Sequence, residues 1–171
     1  MSYPHHTSPT TYFAAGALAD LEVMKELLGV LPQGHRMEMH DVTLGLVTGA
    51  EINAHLRTDM FPDGYETRVL AHKPGETVEG VLFNVSPEQL EAIHMYTSDG
   101  VVTRTVNVQL GKNEPVGHAV AHFVKPTLIW KELERSERGI FPNGKEATLQ
   151  SARETHRRWQ EALHQHPGER R

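Results

Sequence analysis

Tyr12-Phe13-Ala14-Ala15-Gly16-Ala17-Leu18, followed at once by Asp20, is the stretch on which the fold turns. Tyr12–Ala15 is a short apolar run of strand length, and it stops at Gly16. Asp20 is a helix N-cap, and Leu21, Met24, Leu27 and Leu28 then recur at helical spacing until Gly29 and Pro32 supply the stop. A strand, a glycine turn and a helix therefore follow one another with no linker between them.

Working outward, the middle of the chain is β-rich. Val42–Val47, Thr67–His72 and Thr77–Val85 read as strands, and Val102–Leu110 and His118–Val124 as two more. The last pair is joined by the hairpin-length Gly111-Lys112-Asn113-Glu114-Pro115. A second helix opens at Ser86-Pro87-Glu88-Gln89, where Ser86 caps, Pro87 suits the first turn and Gln89 completes a capping box. It runs to about Tyr96 and breaks at Ser98-Asp99-Gly100. Thr127 caps a predicted helix Leu128–Arg138, and Leu149, Ala152, His156, Trp159 and Leu163 step along a final amphipathic one. Strands dominate the centre and few crossover helices separate them. The expected architecture is α+β: a mostly antiparallel or mixed sheet, curled into a small, partly closed β-barrel with helices outside.

Composition bounds what such a domain can do. The 171 residues are enough for one domain with its own core, and they contain no Cys. Thiol nucleophiles, disulfides and Cys-based metal sites are excluded. The net charge of −5 and the lack of a basic stripe argue against a nucleic-acid partner. The basic cluster Arg153, Arg157 and Arg158 is interleaved with Glu154 and Glu161, as on a solvated helix face. No apolar run approaches the ~20 residues that span a bilayer, and residues 1–11 lack the charge and apolar core of a signal peptide. The expected location is the cytoplasm. Residues 1–11 read as a flexible leader, 12–166 as the domain and 167–171 as a tail.

Three segments carry a family resemblance. Tyr12–Leu18 resembles the opening strand and glycine loop of the gamma-glutamylcyclotransferase-like (AIG2-like) superfamily. Val78-Glu79-Gly80-Val81-Leu82-Phe83, with Leu90 and Ile93 on the next helix, is similar to the family's Val-x-Gly-x-Leu-Tyr strand and the helix after it. Ala121-His122-Phe123-Val124, then Pro126, Trp130 and Gly139, resembles its closing strand and helix segment. The resemblance spans roughly residues 12 to 150. It implies the family's barrel with a single small-molecule cavity bordered by the glycine loop. Phe13, Ala15, Gly16, Ala17, Leu18 and Tyr96 become the expected substrate-binding residues. Backbone N–H groups before a helix N-terminus suit an anionic group there.

The family's reaction converts a gamma-glutamyl amine into 5-oxoproline with a glutamate as general acid/base. Here that position is Thr97, the preceding helix aspartate is His94, and the loop tyrosine is Ala15. A threonine hydroxyl does not exchange a proton near neutral pH, so the ordinary reaction is not expected. His94, on the same helix face as Thr97, and Asp99, just beyond it, are the catalytic candidates that remain; imidazole titrates near pH ~6.5. The chain also holds 12 histidines. His118 and His122 lie ~13 Å apart along one strand, and His35 and His40 flank Glu38 in a predicted loop. No HExxH-type spacing occurs, and neither a metal nor another cofactor is expected. The reading is an enzyme with a refitted pocket, working by acid/base chemistry on an amine, amide or amino-acid-like substrate. A non-catalytic small-molecule binder on the same fold is the alternative. The sequence leaves the oligomeric state open.

Overall fold

The computed structural model describes residues 10–59, 66–97, 101–108, 117–124, 131–132, 141 and 144–165. Six strands and four helices follow in the order β1 (Thr10–Ala14), a 3-10 turn (Gly16–Ala19), α1 (Leu21–Leu28), β2 (Gly34–Thr48), α2 (Gly49–Leu56), β3 (Glu66–Val85), α3 (Pro87–Tyr96), β4 (Val101–Val108), β5 (Gly117–Val124), β6 (Lys131–Glu132) and α4 (Lys145–Gln165). The strands form one mixed sheet in the order β4-β5-β1-β3-β2-β6.

Local chemistry explains the helix starts. The Asp20 carboxylate accepts from the N–H groups of Glu22 (3.0 Å) and Val23 (3.2 Å), and Gly29 ends α1 at φ 82°. Ser86 and Gln89 exchange the two bonds of the capping box at 3.1 and 2.9 Å. Both helices were legible in the sequence. α2 was not: it is short, capped only by Thr48, and buries just Gly49 and Ile52.

The sheet departs from expectation in an informative way. The two predicted strands Thr67–His72 and Thr77–Val85 are one strand, β3, carried through Pro74-Gly75. Opposite that point β2 has a bulge between His40 and Val42, with Asp41 at φ 61°. The Gly75 N–H donates to the Asp41 carboxylate at 3.0 Å, and Gly75 itself sits at φ 86°. A bulge is where a sheet tolerates proline, so the pair that reads as a break bends the ladder instead. The bend has a large effect. β3 runs parallel to β5 at Leu70–Phe123, yet antiparallel to β1 along Val81–Val85, and β1 runs parallel to β5. The first half of β3 thus runs with β5 and the second half against β1, although β1 and β5 are parallel to each other, and the sheet curls round. Its edge strands β4 and β6 do not pair among the described residues, so the barrel stays open.

Two further expectations are corrected. Lys131–Glu132, inside the predicted helix Leu128–Arg138, pair with Gly45 and Leu46 of β2. The open edge of a long strand outcompetes a local capping signal there; the rest of that predicted helix lies outside the described residues, as do Asp99 and the Gly111–Pro115 turn. The segment Gly34–His40 is not a loop but the first half of β2. His35 and His40, five residues apart on a strand, face opposite sides and cannot share an ion.

Each sheet face has its own core. Inside the curl lie Phe13, Met39, Val42, Leu70, Leu82, Ala121 and Phe123. On the other face Tyr12, Ala14, Val81, Phe83 and Val85 pack under α1, α3 and α4, with Ile93, Leu149 and Trp159 from the helices. α4 is pinned to α1 by His156, whose Nδ1 lies 2.9 Å from the Leu27 carbonyl oxygen.

Candidate functional site

Gly16 turns at φ 71°, at the end of β1, into the 3-10 turn. β3 crosses beside it with Gly80, where a Cβ would lie 2.3 Å from the Ala14 carbonyl oxygen and 2.6 Å from the Phe13 ring. Only glycine admits this close approach. Around the crossing opens a cleft of about 740 Å³ lined by Gly16, Asp20, Arg36, Glu38, Glu79, Gly80 and Lys145, with Ala19, Leu21, Glu22, Met37, Leu44 and Val81. Leu21, placed on the core face by its spacing, is instead an exposed part of this lining.

The polar groups of the cleft fall into two sets. At one end Lys145 pairs with Glu22 at 3.0 Å and Asp20 at 3.6 Å, and these carboxylates hold its ammonium pKa above the ordinary lysine range. Asp20 also occupies the first N–H groups of α1. The anion position expected at this helix start is filled by the chain's own carboxylate. At the other end Glu38 and Glu79 stand directly opposite each other across β2 and β3, with Arg36 two residues along the same face. Like charges opposed on a sheet are destabilising unless something uses them. Arg36 is an exposed lining residue and makes no side-chain bond among the described residues, so its five donors are unengaged there.

Of the substrate-binding residues expected from sequence, Gly16 lines this cleft. Phe13 is buried inside the curl, Ala15 packs against that core, Leu18 and Tyr96 pack under the helices, and Ala17 is half-buried beside Gly16. Thr97 ends α3: its hydroxyl donates to the His94 carbonyl oxygen at 3.1 Å and its N–H to that of Ile93. Neither His94 nor Thr97 is among the lining residues. Arg36 and Glu79 carry no site signal in the sequence, and Glu38 stands out there only as the carboxylate flanked by His35 and His40.

His94 belongs to a different arrangement. His122, in the apolar strand segment Ala119-Val120-Ala121-His122-Phe123, is buried on the helix-covered face. Its Nδ1 lies 2.9 Å from the Tyr12 hydroxyl and its Nε2 lies 2.8 Å from Nδ1 of His94. The two imidazole rings meet edge to face at 4.9 Å. Burial, then the neighbouring His94, pushes the His122 pKa down to about 4. Burial also lowers that of His94, against a smaller opposing pull from Glu91. The Tyr12 phenol is held protonated by its complete burial. A neutral His122 has one donor and one acceptor. If Tyr12 donates to Nδ1, then Nε2–H donates to His94 and every buried group is satisfied. Run the other way, the chain leaves the buried Tyr12 O–H without an acceptor among the described residues, at a cost of ~1–3 kcal/mol.

No protein-family model and no curated protein sequence matches the chain. Solved structures do. A gamma-glutamyl cyclotransferase superposes with a TM-score of 0.55 at 15% identity, over 71% of this chain and 69% of that one. An uncharacterized Homo sapiens protein gives 0.52 at 15% identity, over 72% and 70%. An Arabidopsis thaliana protein gives 0.52 at 11% identity, over 92% of both chains. On these superpositions the chain has the gamma-glutamyl cyclotransferase-like fold.

Proposed function

We propose that this chain is a small-molecule enzyme with a refitted pocket, acting on an amine, amide or amino-acid-like substrate in the Gly16–Gly80 cleft. The observation that carries the reading is the pairing of an unengaged Arg36 with the opposed carboxylates Glu38 and Glu79 in one cleft. Arg36 and Glu38 are ~7 Å apart along the strand, a span that an amino-acid head group bridges. The guanidinium takes a substrate carboxylate in bidentate fashion, and the glutamates take the ammonium. The glutamates are then the groups placed to take up a proton that the bound ammonium releases.

The test is a binding and turnover panel of free amino acids, gamma-glutamyl dipeptides and simple amines. Amino-acid-like compounds should bind saturably, and Arg36→Ala should weaken them at least ~10-fold, the loss of one charged contact. Gamma-glutamyl dipeptides should yield 5-oxoproline at a rate ~10²–10⁴ below that of an enzyme with a placed base, because Thr97 supplies none. Rapid 5-oxoproline release that survives Glu38→Gln and Glu79→Gln would overturn the departure at Thr97, and release lost in those variants would place the base on the glutamates. Binding that ignores Arg36→Ala would remove the cleft as the site. One observation favours a second reading, a binder without turnover: the Thr97 hydroxyl is engaged in ending α3. Saturable binding with no conversion of any panel member would select it.

A further inference from the structure

We infer that Tyr12 and His122 fix the proton arrangement of His94, so that its outward nitrogen Nε2 carries hydrogen and forms a neutral donor site for a carbonyl oxygen at the end of α3. This inference does not depend on the cleft. The three side chains come from β1, β5 and α3 and form an unbroken chain, 2.9 Å from Tyr12 to His122 and 2.8 Å from His122 to His94. Its inner end decides its direction. The Tyr12 hydroxyl is fully buried and touches no other acceptor among the described residues, so it must donate to His122 Nδ1. His122 then carries its hydrogen on Nε2 and donates it to His94 Nδ1. A neutral His94 whose Nδ1 accepts has its own hydrogen on Nε2. His94 is exposed, and among the described residues its ring bonds only through Nδ1, so the Nε2–H is open to a ligand.

The same logic assigns the ligand class. Among the described residues Glu91 is the charged side chain that acts on His94. A carboxylate or phosphate bound at His94 would bring a second negative charge beside it. An uncharged acceptor, the carbonyl of an amide or ester, meets only the N–H dipole. Protonating His94 would place a second hydrogen on Nδ1, facing the Nε2–H of His122 across 2.8 Å. The chain would have to break, or reverse and orphan Tyr12. His94 therefore stays a neutral donor below the pH at which an ordinary histidine becomes charged, in the direction its burial also favours. Tyr12 and His122 are positioning residues for this donor.

Nitrogen-15 spectra of the histidine rings in the full chain test the inference. His94 should be in the Nε2–H form above pH 7, with a titration midpoint below 6.5. Tyr12→Phe leaves one unpartnered nitrogen on His122 whichever way the chain runs, so both tautomers of His94 should appear. His122→Phe should return the His94 midpoint towards the ordinary value. Titration with N-methylacetamide should shift the His94 Nε2–H resonance in the wild type more than acetate does. A wild-type His94 in the Nδ1–H form would overturn the inference, and so would a tautomer and midpoint unmoved in both variants. A larger shift with acetate would overturn the ligand class.

Discussion

Placing a Cβ at position 80 brings it within 2.3 Å of the Ala14 carbonyl oxygen, a backbone atom held by the β1–β3 ladder. Because that oxygen cannot rotate away, Gly80→Ala should force the strands apart and destabilise the fold by about 3 kcal/mol, read as a lower denaturation midpoint with the transition slope unchanged. Gly80 belonged to a motif in the sequence, but the residue that demands it, Ala14, is distant in the chain. His122 makes a second prediction. Its folded-state pKa, about 4, lies below the ordinary value of 6.5. The unfolded chain therefore binds this proton first as the pH falls, so the contribution is full above pH 6.5 and is lost progressively towards pH 4. Thermal melts should decline across that window by up to about 3 kcal/mol, and His122→Phe should flatten part of the decline. A wild-type profile level from pH 7 to pH 4 would contradict the buried neutral imidazole.

At the scale of elements, legibility follows how local the determining interactions are. α3 was readable from Ser86-Pro87-Glu88-Gln89 because the bonds that start it join residues three apart. Ser86→Ala removes one of them and should cost ~1 kcal/mol, visible as a lower melting temperature with the fold intact. A loss indistinguishable from zero would mean that packing of Ile93 and Ala92 alone sets this helix. β2 and β3 were only half readable. Pro74-Gly75 carries a turn signal at the level of sequence, and the bond that makes it a bend, Gly75 N–H to Asp41, spans 34 residues. β6 is the clearest failure of local signals: Lys131–Glu132 are strand only because β2 offers them an edge.

For the whole molecule, hydrophobic periodicity, capping residues and the glycine of the first turn were sufficient for an α+β class and for β1, α1, α3, β4, β5 and α4, while the resemblance to a cyclotransferase-like fold rested on the motifs Tyr12–Leu18, Val78–Phe83 and Ala121–Val124. Those features act over a few residues, so the chain carries them in plain order. The candidate site was mostly not legible. Gly16 could be named because its turn is local. Arg36, Glu38 and Glu79 became neighbours only when β2 paired with β3 in one particular register, and slipping that register by one residue would turn each to the other face. His122 reads as one polar interruption in an apolar strand, and its partners Tyr12 and His94 are 110 and 28 residues away. Sequence by itself determined β1, α1, α3, β4, β5 and α4, since backbone preference and side-chain spacing are local properties. The tertiary structure alone decided which charged and titratable groups meet, because the curl of the sheet about Gly75 and the burial of the helix-covered face set their distances and their solvent.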